Sequence, residues 1–139
     1  MKEELKDESQ NIFLQVEPLL DRNIMYSNWI GTDLTIDQIK EGGALILKQI
    51  AEHKTSFIMS DNRQLIGGWD MVVIDAWIAD HWMPKVIEAG VKKFAHLLPN
   101  ELFTELSAEF MKDNTEELEG DFKLRLFHSQ EEAEKWLAE

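Results

Sequence analysis

Short apolar runs of strand length alternate along this chain with longer stretches whose apolar residues recur every three or four positions. That alternation is what most narrows the folds open to it. Thr35-Ile36-Asp37-Gln38 reads as a capping box: the Thr35 hydroxyl can accept from the backbone at Gln38, and the Gln38 side chain can reciprocate. Ile36, Ile39, Gly43, Ile46, Leu47 and Ile50 follow at helical spacing, so a helix is expected through about residue 53. Gly42-Gly43 inside it costs roughly 1 kcal/mol of helix propensity per glycine, which is acceptable where a helix backbone must approach a sheet closely. A second capping box, Ser129-Gln130-Glu131-Glu132, opens a closing helix with Ala133, Trp136 and Leu137 inward.

Between these lie the strands. Ile12 to Val16 and Ile24 to Trp29 flank Pro18, Asp21 and Asn23, which predicts an antiparallel hairpin. Ser56 to Met59 reads as a buried central strand ending in Ser60-Asp61-Asn62-Arg63, and Lys93 to Leu98 as another. Phe122, Leu124 and Leu126 alternate with Lys123 and Arg125, the pattern of a strand with one solvated face. Asp70 to Glu88 is helical in length and composition, with Pro84 expected to end one helix near His81 and start another, and Gly90 to stop it. Asn100 can cap a further helix carrying Leu102, Phe103, Leu106 and Phe110. The order is β-β-α-β-α-β-α-β-α, an α/β fold: a mixed sheet, with an opening hairpin and largely parallel strands, and helices packed on it. Residues 1–10 are polar and expected to form a flexible tail; residues 11–139 are expected to form one domain.

Charge and composition remove several function classes. With 14 basic against 27 acidic residues the net charge is −13, which disfavours binding to nucleic acid or to an anionic membrane surface. No apolar run approaches the ~18 residues needed to span a bilayer. Met1-Lys2-Glu3-Glu4 carries no apolar stretch of the kind a secretory leader needs. Cysteine is absent, so disulfides, thiol nucleophiles and cysteine zinc sites are ruled out, and a reducing, cytoplasmic location is expected. The four histidines show no metal-ligand spacing, Gly67-Gly68 lacks the Lys and hydroxyl of a phosphate loop, and no cofactor is expected.

A family resemblance is carried by Ser60-Asp61-Asn62-Arg63, Gly67-Gly68-Trp69, Trp77, Trp82-Met83-Pro84, Ala89-Gly90 and Phe94-Ala95-His96. Asn28-Trp29-Ile30-Gly31 and the closing Phe127, Glu132-Ala133 and Trp136-Leu137 add to it. In these stretches, and in element order, the chain resembles small bacterial proteins of the STAS (sporulation anti-anti-sigma-like) or STAS/SEC14-like fold. The resemblance implies protein–protein regulation. In the best-known branch a serine at the strand-to-helix turn is phosphorylated by a partner kinase. Here that turn reads Leu65-Ile66-Gly67-Gly68-Trp69, without a hydroxyl, and Thr55 and Ser60 precede it.

The candidate ligand- or partner-binding residues are Asp61, Asn62, Arg63, Trp69, Trp77, His81, Trp82 and His96; none is assigned a catalytic role. Asp61-Asn62-Arg63 is expected to leave the C-terminal end of a central strand, where open α/β sheets place ligands. The same three residues also suit a loop-fixing role, with Arg63 paired to a carboxylate. The Asp70–Glu88 segment carries more apolar surface than one sheet-facing stripe needs, so Trp77 or Trp82 is expected to line an interface or a hydrophobic pocket. His81 follows Asp80, and adjacent helical residues do not face each other. His96, between Ala95 and Leu97, reads first as a structural histidine. The leading expectation is a non-enzymatic STAS-like interaction or regulatory module, self-associating as a homodimer or meeting another protein through 70–88. The alternatives are a carrier of a small apolar ligand and an enzyme using Asp61, Arg63 and His96 in one cleft.

Overall fold

The computed structural model describes residues 2–32, 34–66, 77–98 and 122–139. Six strands form one mixed sheet: β1 (Glu3–Lys6), β2 (Ile12–Leu19), β3 (Ile24–Thr32), β4 (Phe57–Ile66), β5 (Lys93–Leu97) and β6 (Lys123–Phe127). They lie side by side in chain order. β1, β2 and β3 pair antiparallel, and β3 through β6 pair parallel. Helix α1 (Ile36–His53) links β3 to β4. A π-helical turn (Ile78–Trp82) runs into α2 (Met83–Glu88), and α3 (Gln130–Ala138) closes the chain. Among the described residues no helix is long and apolar enough to cross a membrane.

The capping chemistry works as the residues require. Thr35 Oγ1 accepts from the Gln38 amide at 3.1 Å, and Gln38 Oε1 accepts from the Thr35 amide at 2.9 Å. Ser129 Oγ accepts from the Glu132 amide at 3.4 Å and starts α3. Pro84 sits in the first turn of α2, where its missing donor costs nothing. Gly90, at φ +101°, turns the chain away behind that helix.

Strand alternation sends side chains to two layers. On one face Leu14, Val16, Met25, Ile58 and Phe94 pack with Ile39, Ile46 and Ile50 of α1 and with Trp82, Met83 and Val86. On the other, Ile24, Met59, Ala95, Leu97 and Phe127 pack against Ala133 and Leu137 of α3. The paired glycines of α1 are explained by the neighbours they admit. A Cβ on Gly42 would overlap the Trp29 ring and lie 2.8 Å from Leu14 Cδ2, and one on Gly43 would lie 2.9 Å from Trp82 Nε1. Trp82 uses that closeness to donate its indole N–H to the Gly43 carbonyl at 2.8 Å.

Three expectations are corrected. The polar opening is no flexible tail in residues 3–6: these form β1, held by main-chain pairing to β2, with Leu5 packed on the core. The central strand does not end at Met59. β4 continues to Ile66, shifting register between Asn28 and Ile30 of β3, so Asp61, Asn62 and Arg63 lie within a strand rather than beyond it. Pro84 does not divide two helices near His81: the π turn over Ile78–Trp82 runs straight into α2 at Met83. The expected helix after Asn100, the residues 70–76 of the tryptophan-rich segment, and Trp69 lie outside the described residues.

Candidate functional site

Because successive strand residues point to opposite faces, β4 divides the candidate cluster in two. Asp61 and Arg63 project to the face covered by α3; Ser60 and Asn62 project to the face covered by α1 and α2. Register places Ser60 beside His96 and Asp61 beside Leu97. The sheet therefore separates His96 from Asp61 and Arg63, and the cleft that an enzyme using all three needs is not formed.

On the α3 face Asp61 is the hub. Its Oδ1 accepts from the Arg63 amide at 3.1 Å and from Arg63 Nε at 2.9 Å. Its Oδ2 accepts from Arg63 Nη2 at 2.8 Å and from the Tyr26 hydroxyl at 2.7 Å. Burial alone would raise the Asp61 pKa, but the bonds from Arg63 and then Tyr26 outweigh it and leave the carboxyl below its ordinary value. The same bonds raise the Arg63 pKa further. Tyr26 is raised by burial first and then by the bond to a carboxylate, so it stays a phenol. Arg63 also donates to Gln130 Oε1 at 3.2 Å, tying the cluster to the first turn of α3. Beside it an open cavity of about 360 Å³ is lined by Glu17, Leu19, Asp21, Arg22, Tyr26, Gln130 and Glu134, with Arg22 and Glu134 paired at 2.7 Å across its rim. With four donated hydrogen bonds on one carboxylate, Asp61 has no lone-pair direction left for a substrate proton. It holds the strand and the tyrosine in place.

On the face covered by α1 and α2 the centre of the sheet carries a polar row. Ser27, Ser60 and His96 are register neighbours on three adjacent strands, and Asn62 lies two residues beyond Ser60. Asn62 Nδ2 donates to Ser60 Oγ at 3.2 Å and to the Ser60 carbonyl at 3.3 Å. The Ser27 hydroxyl is fully buried and finds no hydrogen-bond partner. His96 lies edge-on to Phe94, ring centroids 5.9 Å apart, and burial pushes its pKa down to about 4.

The remaining candidates separate cleanly. Trp82 is buried by its own chain and meets Phe94 edge-to-face at 6.0 Å, so of the two tryptophans expected to line an interface or a hydrophobic pocket it is not the accessible one. Trp77 is only partly buried, packed against the same core beside Gly43. His81 and Asp80 are exposed. Sequence reasoning missed Tyr26, Ser27, Ser60 and Gln130. The single tyrosine of the chain, set among alternating residues of β3, was the available clue for the first. Among the described residues no group of three or more His, Asp or Glu side chains is placed to hold a metal ion. No protein-family model, curated protein or solved structure matches the chain.

Proposed function

We propose that this protein is a non-catalytic interaction module of STAS-like fold, self-associating through the helical segment that ends in α2. The observation that supports a binding rather than a reacting role is the saturated Asp61 carboxylate: the most strongly coupled ionisable group on the sheet is committed to Arg63 and Tyr26. The partly accessible Trp77, just ahead of the core-packed Trp82, Met83 and Val86, is the place where a second copy would gain apolar burial. The strand-to-helix turn offers no hydroxyl, so association runs without the phospho-switch of the best-known STAS branch.

Sedimentation velocity across micromolar to hundred-micromolar concentrations tests this. A concentration-dependent dimer is expected, weakened at least tenfold by Trp77→Ser and unaffected by His81→Ala. A wild-type chain that stays monomeric throughout, or a dimer indifferent to Trp77→Ser, refutes the reading.

A further inference from the structure

The cavity beside Tyr26 is built from three separate parts of the chain. Glu17 and Leu19 alternate with Pro18 along β2, and Glu17 is the register neighbour of Tyr26 on β3, so these three side chains form its floor. Gln130 and Glu134, one turn apart on α3, form a wall, and Asp21 and Arg22 of the hairpin turn form the rim. Its sides are held in place. Asn23 fixes the turn: its Oδ1 accepts from the Ser56 amide at 3.1 Å and its carbonyl from the Phe57 amide at 3.2 Å. The Arg63–Gln130 bond fixes the start of α3, and the Arg22–Glu134 pair ties turn to helix. A cleft propped open by its own chain needs little reordering to receive a ligand. At about 360 Å³ it falls at the small end of the ~300–1,000 Å³ range of small-molecule sites.

The lining carries three carboxylates and one guanidinium. The guanidinium is committed to Glu134. Among the described residues Glu17 and Asp21 have no ion pair, although Glu17 on the floor is only partly exposed. A carboxylate that has given up part of its hydration without a partner gains from a cation brought to it. Tyr26 does not serve Glu17, because its hydroxyl donates to Asp61; with Leu19 it supplies apolar surface continuous with the core under α3.

The two unneutralised carboxylates repel anions, and the net charge of −13 draws cations toward the cleft. We propose that this cavity binds a small organic cation, an ammonium or guanidinium group on a short apolar body. Glu17 and Asp21 face the charge, and Leu19 and Tyr26 take the body, the Tyr26 ring adding a cation–π attraction. The site goes beyond self-association and stands or falls apart from it, since Trp77 packs on the opposite face of the sheet.

The chain has a single tyrosine, so ¹³C-labelled tyrosine reports from the cavity floor alone. The full chain is titrated with phenethylamine, with phenethyl alcohol as its neutral counterpart and with phenylacetate as the anion, and followed through the Tyr26 ring C–H resonances. Phenethylamine should move them saturably at millimolar concentration. Phenethyl alcohol and phenylacetate should bind at least tenfold more weakly. Glu17→Gln should weaken phenethylamine at least tenfold, whereas Glu52→Gln, which removes an exposed carboxylate from α1, should leave its binding within twofold of wild type. If Glu17→Gln does not fold, the comparison of amine with alcohol on the wild-type chain decides alone. The proposal is overturned by the absence of a saturable Tyr26 shift, or by the alcohol or phenylacetate matching the amine. A folded Glu17→Gln chain that binds like wild type overturns it too, as does Glu52→Gln weakening binding as much as Glu17→Gln.

Discussion

Gly42→Ala is a change that helix propensity and packing judge with opposite signs. In an exposed helix interior the added methyl stabilises by about 1 kcal/mol. Here it would overlap the Trp29 ring and stand 2.8 Å from Leu14 Cδ2. Trp29 and Leu14 retain 7% and 0% of their surface, so neither can swing into solvent; α1 must lift from the sheet or both side chains must leave their rotamers. Overpacking of this kind costs about 1–3 kcal/mol, and a double clash against buried neighbours belongs at the upper end. Subtracting the propensity gain leaves a net destabilisation of about 2 kcal/mol. In a domain of this size that lowers the melting temperature by roughly 6 °C. Urea denaturation followed by far-ultraviolet circular dichroism measures it directly. The Trp29→Leu background supplies the control: removing the ring should relieve most of the penalty, giving a coupling of at least ~1 kcal/mol in the double-mutant cycle. A Gly42→Ala chain that melts at or above the wild type, or a penalty unchanged in Trp29→Leu, would show that the close approach is not what the glycine provides.

The other perturbations probe charge. Lys93 Nζ donates to the carbonyls of Trp136 at 2.9 Å and Glu139 at 3.2 Å, so Lys93→Met should destabilise by about 1 kcal/mol and speed amide exchange selectively in α3. Asp61 is depressed below the ordinary carboxylate value, so its contribution is complete above about pH 4 and is lost as the pH falls through the folded-state pKa. Asp61→Asn should cost about 2 kcal/mol at neutral pH, less than a fully buried pair because Arg63 remains 37% exposed and can rehydrate, and the difference from wild type should shrink in acid melts. His96, with its pKa at about 4 against the usual 6.5, contributes fully above pH 6.5 and progressively less as the pH drops through 4. The urea midpoint of wild type should therefore fall between pH 6.5 and 4 more steeply than that of His96→Gln.

How far these features could be read from the residues depends on whether a local rule or a tertiary partner sets them. α1 and α3 were legible because Thr35, Gln38 and Ser129 carry their own start instructions. The hairpin was legible from Asn23 and the apolar runs around it, and Gly42-Gly43 already pointed to close helix–sheet contact. β1 was missed because Glu3-Glu4-Leu5-Lys6 has no apolar run; what makes it a strand is the free main chain of β2 alongside. The far half of β4 was missed for a related reason. Ser60 to Gln64 reads as a polar loop until Asp61 is seen to satisfy Arg63 two residues on, which lets a charged pair occupy one face of a strand. Strand periodicity was present there, but in polar pairs rather than in apolar residues. The separation of His96 from Asp61 follows from register, which no local pattern specifies when both faces of a strand are buried.

The short opening strand has a role out of proportion to its size. Its charged side chains fringe the border of the sheet, and the part of β2 it covers runs from Ile12 to Val16, with Phe13, Leu14 and Val16 inside. Trimming the first seven residues would bare the outward-facing main-chain donors and acceptors of β2 between Ile12 and Val16, on a greasy ribbon of the kind along which β proteins polymerise. Those few residues act as a guard rail against fibre growth, so a trimmed chain should stay folded when dilute and clump when concentrated.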